Sequence, residues 1–228
     1  MKAVVFDFDE TLGHFAQLGD FVTTLEEWFR KPIKREVLYK LLDIFPFCFR
    51  EDLFRILNLL KKKKQNREIN RILIFTNNMG PRSWVLSIKK YLELKLNFKL
   101  FDRVISAYKV RGIQIEKKRT SHDKTYKDLL AAGNLPNNTK VLFFDDQFHS
   151  INTNENVLGI KVKPYMYEMN IRNMIGKFLH NRLLKSLIND KKDFSNFMYQ
   201  NLKQYDKPEG LISTPNKRGF LYNLINKF

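Results

Sequence analysis

Two pairs of acidic residues follow apolar stretches of the sequence. Asp7 and Asp9 lie two residues apart in "VVFDFDETL", and Asp145 and Asp146 are adjacent in "VLFFDD". In an extended strand, side chains two residues apart point to the same side, so Asp7 and Asp9 are predicted to face one place. Carboxylates gathered in one place are suited to nucleophilic attack, proton transfer or binding of a divalent cation. A single acidic turn more often caps a helix or faces solvent, so the first pair needs support from elsewhere in the chain.

A third polar cluster supplies that support. Thr76, Asn77 and Asn78 follow the apolar run Arg71–Phe75 in "RILIFTNN". The carboxyl ends of parallel strands meet at one edge of a sheet, where open α/β proteins bind their ligands. Three strands that end in polar residues, two of them in carboxylates, therefore predict a functional site at that edge.

Segments with strand and helix patterns alternate along the sequence. Helical periodicity covers Pro81–Leu94 and His122–Ala132, the second with Gly133 as a stop signal and Ser121 or Asp123 as its N-cap. Alternating strands and helices predict an α/β fold with a parallel sheet. The apolar runs predicted to be its buried strands are Ala3–Phe8, Arg71–Phe75, Arg103–Ala107, Val141–Phe144 and Gly159–Val162.

The gathered carboxylates predict a bound cation. Two like charges about 4 Å apart repel by roughly 4 kcal/mol at an effective dielectric constant near 20, and this edge would hold three or four. Carboxylate oxygens without a nearby cysteine favour Mg²⁺ over zinc or copper. A basic side chain is also expected close to the carboxylates.

Together these clusters resemble the motifs of haloacid dehalogenase (HAD) superfamily phosphatases. The resemblance runs from about Lys2 to Tyr165 and rests on "DFDETL", Thr76, a lysine before the last pair of strands, and "FFDD". "DFDETL" is similar to the branch of NLI-interacting-factor-like and small carboxy-terminal-domain phosphatases, whereas "FFDDQFHSINTNENVLGIKV" is more similar to magnesium-dependent phosphatases. The resemblance implies a Rossmann-like HAD fold, in which helices flank a central parallel sheet, with a small helical insert after the first strand and a helical C-terminal extension.

The resemblance also implies roles for individual residues. Asp7 would be the nucleophile that forms an aspartyl-phosphate, and Asp9 would protonate the leaving oxygen and then help to activate water. Thr76 and the backbone amide of Asn77 would hold the phosphoryl oxygens. Asp145 would ligate Mg²⁺ together with the Asp7 carboxylate and the Asp9 backbone carbonyl.

Two further assignments follow from the same resemblance. Asp146 would hold a metal-bound water. The lysine of the third motif is Lys124 or Lys127, both in "DKTYKDLLAAG". Lys124 is preferred because it opens the predicted helix, where the helix N-terminus adds positive potential. Lys117 and Lys118 are predicted to be surface charges, and His149 is predicted to be a loop residue.

The resemblance divides the chain into a catalytic domain, residues 1–167, and a helical extension packed on it, residues 168–228. A lid-like insert is predicted at about residues 14–47, with short helices at Phe21–Phe29 and Arg35–Ile44, and a helix at Arg50–Lys64 follows it. In the extension, one helix with an apolar face is predicted from residues that recur every fourth position: Ile171, Ile175, Leu179, Leu183 and Leu187.

Composition constrains the partners and the compartment. The chain has 228 residues, 43% of them hydrophobic, and a single cysteine, Cys48, so no internal disulfide is possible. No signal peptide or membrane span is predicted, which favours a soluble protein of the cytoplasm or nucleus with no membrane partner. The net charge of +17 is consistent with nucleic acid as a partner, and also with the lysine and asparagine bias of AT-rich coding. The aromatic residues interleaved with lysines near the C-terminus fit a nucleic-acid surface or, preferably, a tail over the sheet.

The predicted function is hydrolysis of phosphate monoesters with Mg²⁺ as cofactor and a phosphoprotein as the leading substrate. A phosphatase of nucleotides, nucleic-acid ends or small metabolites is one alternative. A non-catalytic module that uses its basic surface to bind nucleic acid or protein is the other, although intact Asp7 and Asp9 argue against it.

Overall fold

A computed structural model describes the whole chain, residues 1–228. Its strands are β1 (Lys2–Phe6), β2 (Arg71–Phe75), β3 (Arg103–Ile105), β4 (Lys109–Val110), β5 (Ile113–Gln114), β6 (Lys140–Asp145), β7 (Val157–Lys161), β8 (Tyr167–Glu168) and β9 (Gly210–Leu211). Its α-helices are α1 (Ala16–Phe29), α2 (Arg35–Ile44), α3 (Leu53–Gln65), α4 (Arg82–Leu96), α5 (Tyr126–Gly133), α6 (Ile171–His180), α7 (Arg182–Lys185), α8 (Lys191–Leu202) and α9 (Phe220–Lys227). None of the helices combines the length and the apolar character that crossing a membrane requires.

Five strands form a parallel sheet in the order β3-β2-β1-β6-β7. The chain adds β2 and β3 on one side of β1 and then crosses to the other side for β6 and β7. The strand order therefore reverses between β1 and β6, which is where ligands bind in such sheets. The sheet is flanked by helices, and the α/β, Rossmann-like prediction is confirmed.

The core on one face of the sheet determines the direction of two acidic side chains. Ala3 and Val5 of β1 and Val141 and Phe143 of β6 pack in one buried cluster with residues of α5. Because side chains alternate along a strand, the next residues of the same parity are Asp7 and Asp145. The apolar core beneath α5 thus determines the side of the sheet on which these two carboxylates lie.

Two strands differ from their predicted bounds. The strand predicted at Arg103–Ala107 ends at Ile105, because the carbonyl groups of Ala107 and Tyr108 accept hydrogen bonds from the returning chain of the β4–β5 hairpin. The strand predicted at Gly159–Val162 begins earlier, at Val157, and ends at Lys161. As an edge strand it is only partly buried, so it lacks the continuous apolar run that marks a central strand.

The helix predicted at His122–Ala132 begins later, at Tyr126. Its N-cap is Thr125, whose hydroxyl accepts a hydrogen bond from the Asp128 amide at 3.0 Å. Neither proposed cap holds this position. The Asp123 carboxylate instead accepts a hydrogen bond from the backbone amide of Ser150.

The chain forms two compact units. One comprises residues 1–12, 50–164 and 215–228 and contains the parallel sheet; the other comprises residues 13–49 and 165–214. The predicted insert and most of the predicted extension therefore lie in one unit. Its core is aromatic: Phe178 lies 5.1 Å from Phe194 and 6.1 Å from Phe21, measured between ring centroids. The last fourteen residues belong to the unit with the sheet, where α9 packs on α3.

The single helix predicted from Ile171 to Leu187 is wrong. The chain leaves the helix at Asn181, whose side chain caps α7 by accepting hydrogen bonds from the amides of Leu183 and Leu184. After this break the fourfold spacing no longer follows one face. Leu183 is consequently 61% exposed, and Leu184 is buried in its place.

Candidate active site

Asp7 and Asp145 lie side by side where the strand order reverses. Asp145 is the last residue of β6, and Asp7 follows β1, donating its backbone amide to the carbonyl of Phe144 at 2.8 Å. The ammonium group of Lys124 lies between the two carboxylates. Its Nζ is 2.5 Å from Asp7 Oδ1 and 2.6 Å from Asp145 Oδ2. All three side chains are almost completely buried.

Of the two candidate lysines, Lys124 is the one that reaches the carboxylates. Lys127 is exposed on α5. Lys124 does not open this helix as predicted, because it precedes the Thr125 cap. Its backbone carbonyl accepts a hydrogen bond from the Ile151 amide at 2.9 Å, and its Nζ lies over the rings of Phe75 and Phe143. The loop contact and the two rings position the ammonium group.

Asp146 completes an acidic cluster. One oxygen atom from each of Asp7, Asp145 and Asp146 lies within 4.8 Å of the others, and the Asp9 side chain is not part of this group. Burial, opposed by Lys124 and reinforced by Asp145, raises the pKa of Asp7 to about 7. Burial and the Asp145 charge raise the pKa of Asp146 to about 6. One lysine thus leaves the cluster with excess negative charge, and a hard divalent cation such as Mg²⁺ fits these oxygen donors.

The amide-rich end of β2 holds Asp9. Asn78 Nδ2 donates to Asp9 Oδ2 at 2.7 Å, while the backbone amide of Asn78 donates to the Thr76 hydroxyl oxygen at 2.9 Å. Asn77 Nδ2 donates to the carbonyl of His122, and its Oδ1 is buried without a partner. The contact between Asn78 and Asp9 was missed by the sequence reasoning, although the paired asparagines of "FTNN" were the available signal.

The turn after Asp9 is fixed by a buried arginine. Glu10 has φ 58°, in the left-handed region that non-glycine residues rarely occupy. Arg50 donates from Nη2 to the carbonyl of Glu10 at 2.8 Å and from Nε to that of Thr11 at 2.7 Å. These bonds hold the backbone in the conformation that ends β1 and directs Asp9 to the site.

All seven predicted site residues line one cavity of about 290 Å³. They are Asp7, Asp9, Thr76, Asn77, Lys124, Asp145 and Asp146. His149, predicted to be a simple loop residue, also lines it. Its Nδ1 lies 3.1 Å from Asp123 Oδ1, and its Nε2 lies 3.6 Å from Asp145 Oδ2.

A second buried arginine joins three segments around the cavity. Arg119 Nη1 donates to the carbonyls of Thr76 at 3.1 Å and Ser106 at 3.0 Å, and Nη2 donates to that of His122 at 3.0 Å. Its guanidinium lies over the Phe75 ring, 4.7 Å from the centroid. No local pattern distinguishes Arg119 from the exposed lysines that precede it in "EKKRT", so the sequence contained no signal for this role.

Comparison of the chain with protein-family models, with curated proteins and with solved structures found no match in any of the three searches. The fold and the acidic cavity are therefore the observations from which a function is inferred.

Proposed function

We propose that this chain is a Mg²⁺-dependent phosphatase of the HAD type, which hydrolyses phosphate monoesters through an aspartyl-phosphate on Asp7. The proposal rests on the buried position of Lys124 between Asp7 and Asp145, where the strand order of the sheet reverses. Phosphate-monoester hydrolysis is among the slowest uncatalysed reactions, and its catalysis depends mainly on positioning and charge neutralisation. The Asp7 carboxylate is positioned by its contact with Lys124, and the ammonium group of Lys124 supplies charge neutralisation.

Asp7, Asp145 and Asp146 would hold the metal ion, with the backbone carbonyl of Asp9 as a further ligand. The donor set is made of hard oxygens. Burial, reinforced by the Asp145 charge, raises the pKa values of Asp7 and Asp146, and a bound divalent cation would favour the ionised form of both carboxylates. When bound, Mg²⁺ would neutralise charge on the nucleophile and on the phosphoryl group.

The two aspartates of "DFDET" divide the reaction between them. An oxygen of Asp7 attacks phosphorus, the bond between phosphorus and the ester oxygen breaks, and that oxygen takes a proton from Asp9. Water then attacks the phosphorus of the aspartyl-phosphate, Asp9 accepts the proton of the water, and phosphate leaves with Asp7 restored. Asn78 supports these transfers by holding Asp9 Oδ2.

Thr76 and the backbone amide of Asn77 would bind the phosphoryl oxygens. Both line the cavity at the end of β2. Arg119 fixes this strand end through the Thr76 carbonyl. Lys124 supports the opposite side, where its ammonium group compensates the charge of Asp7 and Asp145.

A phosphorylated protein side chain is the proposed substrate. The cavity is bordered by Met79, which is 55% exposed, and by the exposed Gln147, so the site is not enclosed. Sites for small ligands usually bury most of the ligand surface, and an unenclosed site suits a phosphate carried on a larger molecule. Free nucleotides, nucleic-acid ends and small metabolites are the competing substrates.

The test is hydrolysis of p-nitrophenyl phosphate with and without Mg²⁺. Turnover should require the metal, and Asp7→Asn should reduce kcat by at least roughly a thousandfold. Asp43→Asn is the matched control, because it removes the same charge from an exposed residue that does not line the cavity. Full activity of Asp7→Asn, with the fold verified by circular dichroism, would exclude the mechanism. A panel of phosphopeptides, nucleotides and sugar phosphates then tests the substrate class.

A further inference from the structure

A second cavity adjoins the acidic one. Its volume is about 370 Å³, and it shares Thr76, Asn78 and Met79 with the acidic cavity. A phosphate monoester bound at Asp7 has its leaving group on one side of phosphorus and its phosphoryl oxygens on the other. The shared residues place the second cavity next to the acidic one, within reach of that leaving group.

The two cavities have opposite charge. The acidic cavity is lined by five carboxylates and one lysine, whereas the second cavity has no acidic residue and two arginines, Arg82 and Arg111. Both arginines are exposed, and neither guanidinium forms an ion pair or a hydrogen bond within the chain. The first turn of α4, which begins at Arg82, contains no acidic residue and no side-chain cap. Charge complementarity therefore favours an anionic occupant.

The position of Arg111 is conformationally costly. Arg111 and Gly112 connect β4 to β5, with φ of 49° and 80°. A two-residue turn with positive φ at both positions favours Asn or Asp followed by Gly, and an arginine at its first position is unfavourable. The folded chain nevertheless places Arg111 at this cavity.

The walls of the cavity favour a peptide over a nucleic acid. They contain aliphatic side chains, among them Val85, Val110 and the partly exposed Ile115, and no aromatic side chain. Single-stranded nucleic acids are usually bound by aromatic residues that stack on the bases, in addition to basic residues. An extended peptide instead places side chains of mixed character along such a surface, so one aliphatic and one acidic neighbour of the phosphorylated residue match this lining.

We propose that this arginine-lined cavity binds the segment next to the phosphorylated residue and selects substrates whose flanking side chains are acidic. The inference rests on the proposed phosphatase function, since it gives a binding site to the peptide that is the leaving group of that reaction. Arg82 and Arg111 are specificity residues, and they take no part in the transfer of the phosphoryl group.

The first experiment compares phosphopeptides that differ only in their flanking residues, Glu, Gln or Lys. The wild-type protein should favour the Glu peptide over the Gln peptide by roughly tenfold in kcat/KM, the scale expected for two exposed charge pairs. In Arg82→Gln/Arg111→Gln the preference should fall below about twofold, with hydrolysis of p-nitrophenyl phosphate unchanged. Lys90→Gln/Lys99→Gln is the matched control, because it removes the same charge from exposed residues of the same unit that line neither cavity.

A binding measurement separates this inference from the proposed function. Fluorescence anisotropy of the same labelled peptides on Asp7→Asn reports flank preference without turnover, and the preference should weaken as salt is raised. Failure of the wild-type protein to hydrolyse p-nitrophenyl phosphate would refute the proposed function. Equal affinity for the Glu and Gln peptides would refute the arginine-lined cavity as an acidic subsite, and so would a phosphorylated oligonucleotide that outcompetes every peptide.

Discussion

The candidate site has a charged half and a neutral half, and the two are built differently. β1 and β6 deliver Asp7, Asp145 and Asp146, whose oxygens are packed together around a buried ammonium group. The end of β2 delivers a threonine and two asparagines, which are oriented by hydrogen bonds to backbone groups and to Asp9. In the charged half, ion pairs with Lys124 hold Asp7 and Asp145, whereas in the neutral half hydrogen bonds between uncharged groups orient the side chains.

This difference determines how each half should respond to substitution. Removing the buried cation, Lys124, leaves Asp7 and Asp145 uncompensated in a medium of low dielectric constant, which affects stability and catalysis together. Removing an amide from the neutral half loosens a position and leaves no buried charge behind. Loss of the lysine from the charged half is thus expected to lower stability and turnover together, and substitutions in the neutral half are expected to have smaller effects confined to turnover.

The largest effect is expected for Lys124→Met. The substitution retains the length of the side chain and removes the cation between Asp7 and Asp145. We expect turnover to fall at least a thousandfold. The free energy of unfolding, measured by urea denaturation without metal, should fall by about 3–5 kcal/mol, as it does when one partner of a buried pair is removed.

Lys118→Met is the control for this variant, because Lys118 is exposed in the loop that precedes Lys124. It should change neither quantity appreciably. Wild-type stability in Lys124→Met would show that the two carboxylates do not depend on the lysine for charge compensation.

The next largest effect is expected from the metal ion. Mg²⁺ at about a hundred times its dissociation constant should stabilise the fold by about 2.7 kcal/mol. That increase corresponds to a rise in Tm of about 5–10 °C for a chain of this size. Asp145→Asn should abolish the rise, because Asp145 contributes to the acidic cluster. Asn78→Ala should retain it, since the neutral half contributes no carboxylate. A Tm that does not respond to Mg²⁺ in the wild-type protein would argue against the metal site.

The same contrast shows how much of the site could be predicted from the sequence. The carboxylates follow apolar strands, so the period of two and the rule for parallel sheets were enough to predict that Asp7 and Asp145 share an edge. Lys124 was preferred over Lys127 because it was expected to open the helix. Its actual position depends on a loop contact with Ile151 and on where α5 begins, and neither leaves a local pattern. Arg119 was not predictable, because its partners are carbonyl groups from three separate segments.

A similar limit applied to the fold. Central strands were predicted closely because burial on both faces produces continuous apolar runs, as in "RILIF" of β2. The helix expected through Leu187 failed because a fourfold spacing continues past Asn181, where a side-chain cap starts a new helix. Spacing detects an apolar face, and it does not detect the position at which the backbone turns.

A smaller effect is expected for Asn78→Ala in the neutral half. The substitution removes the 2.7 Å hydrogen bond to Asp9 Oδ2 and leaves the charged cluster intact. We expect kcat for p-nitrophenyl phosphate to fall about 10- to 100-fold, a part of the 10²–10⁴-fold that a positioned proton donor contributes. KM and Tm should stay close to their wild-type values. A loss of stability comparable to that of Lys124→Met would show that the two halves are not distinct in the way described.

The smallest effect is expected for Lys127→Glu. This variant tests whether turnover depends on the buried contact of Lys124 with the carboxylates or only on positive charge in this part of the chain. Lys127 lies in the first turn of α5, is exposed, and forms no ion pair. An acidic residue near a helix N-terminus is favourable by about 0.3–1 kcal/mol, so stability should stay the same or rise slightly. Turnover should remain within about twofold of wild type, because a solvent-exposed charge outside the cavity is screened. If turnover instead fell as far as in Lys124→Met, catalysis would depend on the total positive charge near the site more than on the buried contact between Lys124 and the carboxylates.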